Sequence, residues 1–353
     1  MGRFLASPDQ RLLQGEVRRV LAAEYAFQPR GPSQTDLWPQ AVELGWPAAL
    51  LPEEAGGLGG LIEASLLAEE FGRALRPEPL DLIAALAFAA LRTGAGSPFA
   101  QGLAADILEG RARPAFHPVG AITATPTAAG WRLSGAADLI WGAMGASEVL
   151  VAAHAPDGWL VARAPADGAG VNFQTAQGFD GRTTARLVLS DAELPAAAAL
   201  KDADRFLRTA RAAYLVLASA TALGAMDRSI ELSAAYIKTR KQFGVELASF
   251  QALQHILADA HIEAELARSM VALGRERLLE DEDLAAITRT ASAVKARVGE
   301  AALAVGARAI QLHGGVGVTE EFEVGHHYRR LVAFELTAGS RAHHLQRFVE
   351  DDA

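Results

Sequence analysis

A cation, two amides and an aromatic ring lie around Gly244, where two helical patterns meet. The cation is Arg240, the amides are Gln242 and Gln251, and the ring is Phe243. An arginine fork beside polar donors at a helix terminus suits a phosphate or pyrophosphate, because the guanidinium can donate two parallel hydrogen bonds. The same residues are also compatible with an ordinary helix–turn–helix that carries an exposed arginine.

Two long helices must position this group. Apolar residues recur every three or four positions from Leu223 to Ile237, which is typical of one face of a helix. Gly244 interrupts the pattern, and a second apolar face begins at Phe250. The chemical group is therefore expected at the break between two helices.

Three stretches of the chain resemble the acyl-CoA dehydrogenase family. They come in the family's order and at about its spacing, and the resemblance covers most of the chain, least from residue 113 to residue 200. The stretches are Leu44-Gly-Trp-Pro-Ala-Ala-Leu-Leu-Pro-Glu-Glu-Ala-Gly-Gly-Leu-Gly59, Arg240-Lys-Gln-Phe-Gly with Phe250-Gln-Ala-Leu-Gln, and Gln311-Leu-His-Gly-Gly-Val-Gly-Val-Thr319.

Helical periodicity dominates the first part of the chain. A first helix is predicted around residues 12–21, in a region that ends at Gly31 and Pro32. A second helix begins at Trp38 and is expected to close at Gly45 and Pro47. Further helices are predicted before residue 112, and none of the apolar runs there is long enough to span a bilayer.

Short apolar runs separated by turn signals occupy residues 121–189 and predict an antiparallel β region. Long helical periods return at Phe206. We predict a mostly α protein with a small β domain, divided into a helical domain over residues 1–112, a β domain over 113–200 and a helical domain over 201–353. The resemblance implies an acyl-CoA dehydrogenase-like fold, in which the last domain is a four-helix bundle.

Composition excludes several classes of function. The 353-residue chain has a formal net charge of -9, which argues against nucleic acid or an anionic membrane surface as the main partner. It has no cysteine, so it has no disulfide, thiolate nucleophile or cysteine–zinc site. The N-terminal segment lacks the apolar core of a signal peptide. We expect a cytoplasmic protein.

The resemblance implies an FAD site that crosses a subunit boundary. In the family, one subunit holds the flavin ring in its β domain, and its neighbour contacts the pyrophosphate and adenine through its C-terminal domain. Carried over residue by residue, this second half is well populated here. Its expected cofactor-binding residues are Arg240, Gln242, Phe243, Phe250, Gln251, Gln311, Gly314 and Gly315.

The half of the site that holds the flavin ring departs from the family. Members usually carry a loop with a Glu-Pro-x-Ala-Gly-Ser-Asp pattern whose backbone and hydroxyls clamp the ring. This chain has Phe116-His-Pro-Val-Gly-Ala-Ile-Thr-Ala-Thr125 instead, without the Glu-Pro-x-x-Gly-Ser core. The family's Trp-Ile-Thr stretch is reduced to Trp141, which keeps an aromatic wall but not the hydroxyl.

Dehydrogenation of an acyl thioester needs a base for the α proton as well as a hydride acceptor. Most members place a glutamate before a Gly-Thr pair, and Ala338 occupies that position here. Other members place it on the preceding long helix, where this chain has Tyr214 and Leu215. Glu335, roughly one helical turn before Ala338, is the nearest alternative base, although an ion-paired or solvated role fits it as well.

Two histidine pairs, His326-His327 and His343-His344, raise the question of a metal. Adjacent histidines do not give the i, i+4 spacing of a helical zinc site. We expect no metal, and instead packing or contacts with the phosphates of CoA.

These expectations predict a subunit of an FAD-dependent acyl-CoA dehydrogenase that introduces a Cα–Cβ double bond into an acyl-CoA. A larger subunit would supply the flavin clamp and the glutamate, as in the α2β2 enzymes of bacterial steroid side-chain degradation. The resemblance extends the possible substrates to a bulky steroid CoA ester and implies electron-transfer flavoprotein as the acceptor. Two alternatives stay open: a homotetrameric enzyme that uses Glu335, and an inactive scaffold subunit without FAD.

Overall fold

Helices precede and follow a single β region, in the order that the sequence predicts. This computed structural model confirms a mostly α protein with the acyl-CoA dehydrogenase-like fold. The first group of helices is α1 (Pro8–Glu24), α2 (Trp38–Glu43), α3 (Trp46–Ala49), α4 (Leu61–Arg73), α5 (Leu80–Thr93) and α6 (Pro98–Leu108). The second group is α7 (Asp204–Thr239), α8 (Gln251–Glu280), α9 (Leu284–His313), α10 (Glu323–Leu336) and α11 (Arg341–Glu350).

The structure describes residues 6–28, 35–94, 96–117, 121–280 and 283–350. The chain forms two units, which are considered separately below. Unit 1 comprises Met1–Thr35, Ser65–Arg76 and Leu215–Ala353, and unit 2 comprises Asp36–Ala64 and Pro77–Tyr214. The three-domain division at residues 112 and 200 remains a prediction.

Local sequence signals explain where the first helices begin. The Ser7 hydroxyl accepts a hydrogen bond from the Gln10 backbone N–H, and the Gln10 side-chain Oε1 accepts one from the Ser7 N–H, so a capping box starts α1. The helix that begins at Trp38 closes before Gly45 and Pro47, as expected: α2 ends at Glu43, and Gly45 has a left-handed φ of 72°. Pro47 lies in the first turn of α3, where its missing N–H leaves no hydrogen bond broken. The predicted end at Gly31 and Pro32 lies outside the described residues.

The β region is one curled sheet in unit 2, and its core is a row of buried aliphatic side chains from β2, β3, β4, β5 and β7. The strand order is β6-β7-β3-β2-β4-β5-β8, with β1 paired to β4. The strands are β1 (Pro114–His117), β2 (Ala121–Pro126), β3 (Gly130–Ile140), β4 (Glu148–Ala155), β5 (Gly158–Pro165), β6 (Val171–Gln177), β7 (Thr183–Pro195) and β8 (Ala199–Leu200).

The expectation of a purely antiparallel sheet needs correction. Strand β1 pairs with β4 in parallel, from Pro114 opposite Glu148 to His117 opposite Val151. Strand β2 also meets β4 in parallel at Thr123 and His154. All four residues of β1 are buried, so the strand shows no alternation of exposed and buried positions for a sequence pattern to reveal.

In unit 1, α9 packs against α8, α10 and α11 and is buried on most of its surface. Helix α7 is long and apolar enough to cross a membrane, but 89% of its apolar window is buried within the protein. Its apolar character is therefore accounted for by packing in the core. A cytoplasmic location remains a prediction.

Helices α4 and α7 touch backbone to backbone in unit 1. A Cβ at Gly72 would collide with the Thr221 carbonyl, and one at Gly224 would collide with the Glu69 carbonyl. This close approach buries the Glu69 side chain. Burial raises the pKa of Glu69 to about 7, although the Arg268 guanidinium, 3.4 Å from the carboxylate, opposes the rise.

We expect Glu69→Gln to flatten the pH dependence of stability. Because the pKa of Glu69 is raised on folding, its contribution is most favourable below about pH 4.5 and is lost as the pH rises through about 7. The difference in free energy of unfolding between the variant and wild type should therefore change in favour of the variant by about 2–3 kcal/mol as the pH rises from 5 to 8. Urea unfolding followed by helical circular dichroism measures it. Glu16→Gln, at an exposed position on α1, is the control, and parallel pH profiles for Glu69→Gln and wild type would contradict the assignment.

Candidate functional site

A short hairpin joins α7 to α8 and carries the group of residues around Gly244. It consists of β9 (Lys241–Gln242) and β10 (Val245–Glu246), with Phe243 and Gly244 at its tip. Both tip residues have positive φ, 54° for Phe243 and 81° for Gly244. Glycine adopts this conformation readily, whereas for an aromatic residue it is strained and must be imposed by the hairpin.

The side chains of this region face outward. Phe243 is 92% exposed and meets the Phe250 ring edge-on at a centroid distance of 6.3 Å. Arg240, Gln242 and Gln251 are exposed as well. Within the described part of the chain, the Arg240 guanidinium makes no hydrogen bond or ion pair. The structure thus confirms the placement of Arg240 immediately after the helix end and leaves its donors free.

The second predicted group lies at the end of α9. Gln311 is in the last turn, and a 3-10 turn over Gly314–Val318 follows. Gly314 has a φ of 63°, and neither Gly314 nor Gly315 has any atom within 4 Å of the place where a Cβ would be. The backbone here is open, so a ligand could approach its N–H groups closely.

Aromatic packing brings these two groups together in unit 1. Tyr236, one turn before Arg240, stacks on His313 with a centroid distance of 4.5 Å and an interplanar angle of 24°. The Phe322 ring stands edge-on to both rings. The ends of α7 and α9 therefore lie side by side. One end of unit 1 presents a free guanidinium, several amides and an open glycine backbone, which is the donor set of a site for a phosphorylated ligand.

In unit 2, Trp141 follows β3 and has a different environment. Its ring stacks on Tyr214, the predicted position of the alternative base, at 4.6 Å between centroids and 25° between planes. The Phe116 ring approaches the indole edge-on at 6.0 Å. Residues 118–120 of the predicted clamp segment lie outside the described residues. One face of the Trp141 ring, which we expect to form an aromatic wall, is thus in contact with the chain's own Tyr214.

The turn between α10 and α11 contains Ala338, which the sequence resemblance assigns to the position where most family members place the base. Ala338 has a φ of 60°, in the left-handed region. Its carbonyl oxygen is 3.1 Å from Nε2 of the buried His344. The Nζ of Lys295 donates to the carbonyls of Gly339, at 3.0 Å, and Glu335, at 3.1 Å. Buried polar groups therefore fix the backbone of this turn.

Glu335, the alternative base, belongs to the same network and is buried. Its Oε1 accepts the N–H of Arg341 at 2.6 Å, and its Oε2 lies 3.7 Å from Lys295 Nζ. Burial lowers the pKa of Lys295 to about 8, and the neighbouring Glu335 carboxylate limits the fall. The arrangement is that of a structural ion pair, the second of the two roles that the sequence leaves open for Glu335.

The histidines of the two pairs, His326-His327 and His343-His344, each make different contacts. His327 and His344 are fully buried, and His327 Nε2 lies 3.2 Å from the Glu323 carboxylate. His326 Nε2 contacts the Glu320 carbonyl at 3.0 Å. Packing within the chain thus accounts for three of them, and the contacts of His343 include an edge-on approach to the His344 ring.

Sequence reasoning missed Lys295 and the pair Asp180–Arg182. Lys295 is 1% exposed and lies among the buried residues Ala291, Val294 and Val298 of α9. A lysine at an apolar position of a helical repeat was an available signal of burial. No comparable signal marks Asp180 and Arg182, which lie in the turn between β6 and β7 and pair through Arg182 Nε at 2.6 Å.

Comparisons with known proteins agree with the resemblance. Residues 7–90 match the N-terminal domain of acyl-CoA dehydrogenases, and residues 204–350 match the C-terminal domain. The chain is 30% identical to acyl-CoA dehydrogenase IpdE2 of Mycobacterium tuberculosis over 339 residues, which cover 92% of each protein.

Solved structures show the same fold. The Tcur3481–Tcur3483 steroid ACAD superposes with a TM-score of 0.86 and 29% identity, over 98% of this chain and 97% of that one. The ChsE4–ChsE5 complex from Mycobacterium tuberculosis gives a TM-score of 0.85 and 24% identity, over 99% and 98%. The chain belongs to the acyl-CoA dehydrogenase family, whose members are in general FAD-dependent.

Proposed function

We propose that this chain is a subunit of a heteromeric acyl-CoA dehydrogenase. It contributes the adenine and pyrophosphate half of an FAD site that crosses the subunit boundary, and a larger partner subunit contributes the flavin clamp and the catalytic glutamate. The partner's carboxylate takes the α proton of the acyl-CoA. FAD, when bound, supplies the acceptor for the β hydride.

One observation carries this proposal: a free guanidinium beside an open glycine backbone. Arg240, Gln242 and Gln251 lie beside Gly314 and Gly315 at one end of unit 1, and all are exposed. Their chemistry fits a dinucleotide diphosphate, since charge-assisted hydrogen bonds from arginine and backbone N–H groups are the usual ligands of phosphate. This half of the site therefore fits FAD.

The other requirements of the reaction are missing from the family positions in this chain. Ala338 stands at the usual place of the base, and a methyl group cannot take a proton. Tyr214 and Leu215 stand at the alternative place, and both are buried. Glu335 is held by Lys295 and Arg341. A second subunit with an intact glutamate is the simplest way to complete the site.

Exposed apolar surface supports the need for a partner. Phe243 and Val245 project from the hairpin, and Ile262 and Leu266 lie on the outer face of α8, each at least 44% exposed. Exposed apolar side chains on the hairpin and on the helix that follows it are typical of a subunit interface. The heteromer accounts both for the free Arg240 and for the missing base. A homotetramer that uses Glu335 and an inactive scaffold do not account for the two features together.

Two of the similar structures bear names of two components, and one of these is described as a steroid ACAD. We extend this to our chain as part of the proposal: the substrate is an acyl-CoA with a bulky group such as a steroid, processed in the cytoplasm. By family resemblance, electron-transfer flavoprotein accepts the electrons.

The flavin content of the complex tests the proposal. We expect the chain expressed alone to be colourless or poorly soluble, and inactive on acyl-CoA thioesters. Co-expressed with a larger acyl-CoA dehydrogenase subunit that has an intact flavin clamp and glutamate, it should give a yellow complex with about one FAD for every two chains, because only one interface site per pair is complete. Flavin absorbance per chain, measured together with the mass in solution, distinguishes this heteromer from a homotetramer. A soluble homotetramer with one FAD per chain and dehydrogenase activity would refute the heteromer.

Arg240→Ala should weaken flavin binding by the complex. The loss of a charge-assisted hydrogen bond costs about 1.5–3 kcal/mol, so the Kd for FAD should rise roughly ten- to a hundredfold. The Kd of Arg240→Lys should lie between those of wild type and Arg240→Ala, because lysine keeps the charge but not the planar fork. Lys241→Ala, at the adjacent exposed cation, is the control. Fluorescence titration of the flavin-depleted complex gives the Kd, and an unchanged value for Arg240→Ala would remove Arg240 from the site.

Glu335→Gln should leave turnover of the complex within a few-fold of wild type while lowering the stability of this subunit. Loss of a general base typically costs about a hundredfold or more, whereas loss of a buried ion pair leaves Lys295 without its counter-charge. Steady-state kcat and the thermal midpoint of the same preparation separate these effects. A hundredfold fall in kcat with intact assembly and flavin content would identify Glu335 as the base.

A further inference from the structure

The flavin-ring half of the site in this chain differs from its diphosphate half in one physical respect: its aromatic wall already has a stacking partner. The Trp141 indole lies nearly parallel to the Tyr214 ring, 4.6 Å away between centroids. That distance and angle are typical of a favourable offset stack of two aromatic side chains. The Phe116 edge stands against the same indole. One face of the Trp141 ring is thus covered by a side chain of its own chain.

The backbone holds the indole in this position. Trp141 and Phe116 exchange two backbone hydrogen bonds, of 2.9 and 3.1 Å, where the strand β3 ends. The residues around Trp141 have left-handed conformations, with φ values of 55° at Leu139 and 70° at Gly142. A Cβ at Gly142 would collide with the Leu82 side chain, so this turn has little freedom to move.

Tyr214 is held equally firmly at the other side of the stack. Its side chain is buried, at 4% exposure, within the part of α7 that belongs to unit 2. Burial and the neighbouring Asp81 and Asp180 carboxylates raise the pKa of Tyr214, and Arg182 opposes them only in part. Ionisation of the phenol is therefore disfavoured, and packing around the buried ring fixes its position.

We propose that Tyr214 is a specificity-determining plug that closes the flavin-ring position in the β domain of this chain. The ring of Tyr214 covers one face of Trp141, the side chain that the family resemblance assigns to the aromatic wall of the flavin position. The residues of this half therefore do not fit a flavin, whereas those at Arg240 and Gly314 do. This inference rests on the proposed function, since it concerns the second, incomplete interface site of the same heteromer.

The plug explains an asymmetry that the missing clamp sequence does not by itself produce. A half-site that only lacked its clamp would still offer an open aromatic wall, and free flavin rings would bind there weakly. A half-site filled by Tyr214 must first lose the Trp141 stack and the burial of the phenol. The two cases therefore predict different responses to a small flavin without ribityl phosphate or adenosine.

Lumiflavin, the flavin ring system alone, distinguishes an open aromatic wall from one that Tyr214 covers. We expect the co-purified wild-type complex, already holding its FAD, to bind no further lumiflavin. Tyr214→Ala removes the stacking ring, and the complex should then take up about one lumiflavin per pair of chains, at concentrations at least about tenfold below any at which the wild-type complex shows uptake. Tyr214→Phe keeps the stack and serves as the matched control. Equilibrium dialysis, with FAD counted by absorbance in each sample, gives both numbers.

The outcomes separate this inference from the proposed function. Wild-type complex that binds a second equivalent of lumiflavin would overturn the plug, whatever its FAD content. So would Tyr214→Ala that folds and retains its FAD but binds no more lumiflavin than wild type. If Tyr214→Ala does not fold, Tyr214→Leu fills part of the volume without a planar ring and is held to the same comparison. A wild-type FAD content of one per chain would instead refute the proposed heteromer.

Discussion

The stack of Tyr236 on His313 is the contact on which the proposed cofactor half-site depends. It joins the end of α7 to the end of α9, so that Arg240 and the Gly314–Gly315 backbone face the same solvent. Without this contact, the guanidinium would be one exposed charge on one helix end, and the glycines would be an ordinary turn on another. The site is therefore a property of helix packing in unit 1, and its exposed residues depend on the stacked rings of Tyr236 and the buried His313.

The charged residues at the proposed cofactor half-site and at the turn that contains Ala338 are in opposite environments. Arg240 has no partner within the described part of the chain, although unpaired cations gain from any nearby carboxylate. At the turn that contains Ala338, by contrast, Lys295, Glu335 and His344 are all buried and make polar contacts with the chain itself. Groups engaged in this way cannot readily exchange a proton with a substrate. The first arrangement suits binding across an interface, and the second suits a fixed scaffold.

The sequence predicts what depends on periodicity and on local turn chemistry. The break at Gly244 correctly predicts a helix end at Thr239, and short runs with turn signals correctly locate β2, β4 and β5. Contacts between segments that are distant in the chain could not be predicted from the sequence pattern. Neither Tyr236 near His313 nor Asp81 near Tyr214 has a local signature, because each contact exists only after helices have packed. The buried strand β1 escaped for the related reason that it lacks alternation. Of the site, the donor residues could be predicted from the resemblance, but not that Arg240 is exposed and unpaired within the described residues whereas Trp141 stacks on Tyr214.

The most direct measurement of the central claim is the position of FAD in an experimental structure of the co-purified complex. The account predicts a diphosphate in contact with Arg240 and the Gly314–Gly315 backbone of this chain, a flavin ring in the β domain of the partner subunit, and an intact Trp141–Tyr214 stack. A flavin ring lying against Trp141 of this chain would contradict it.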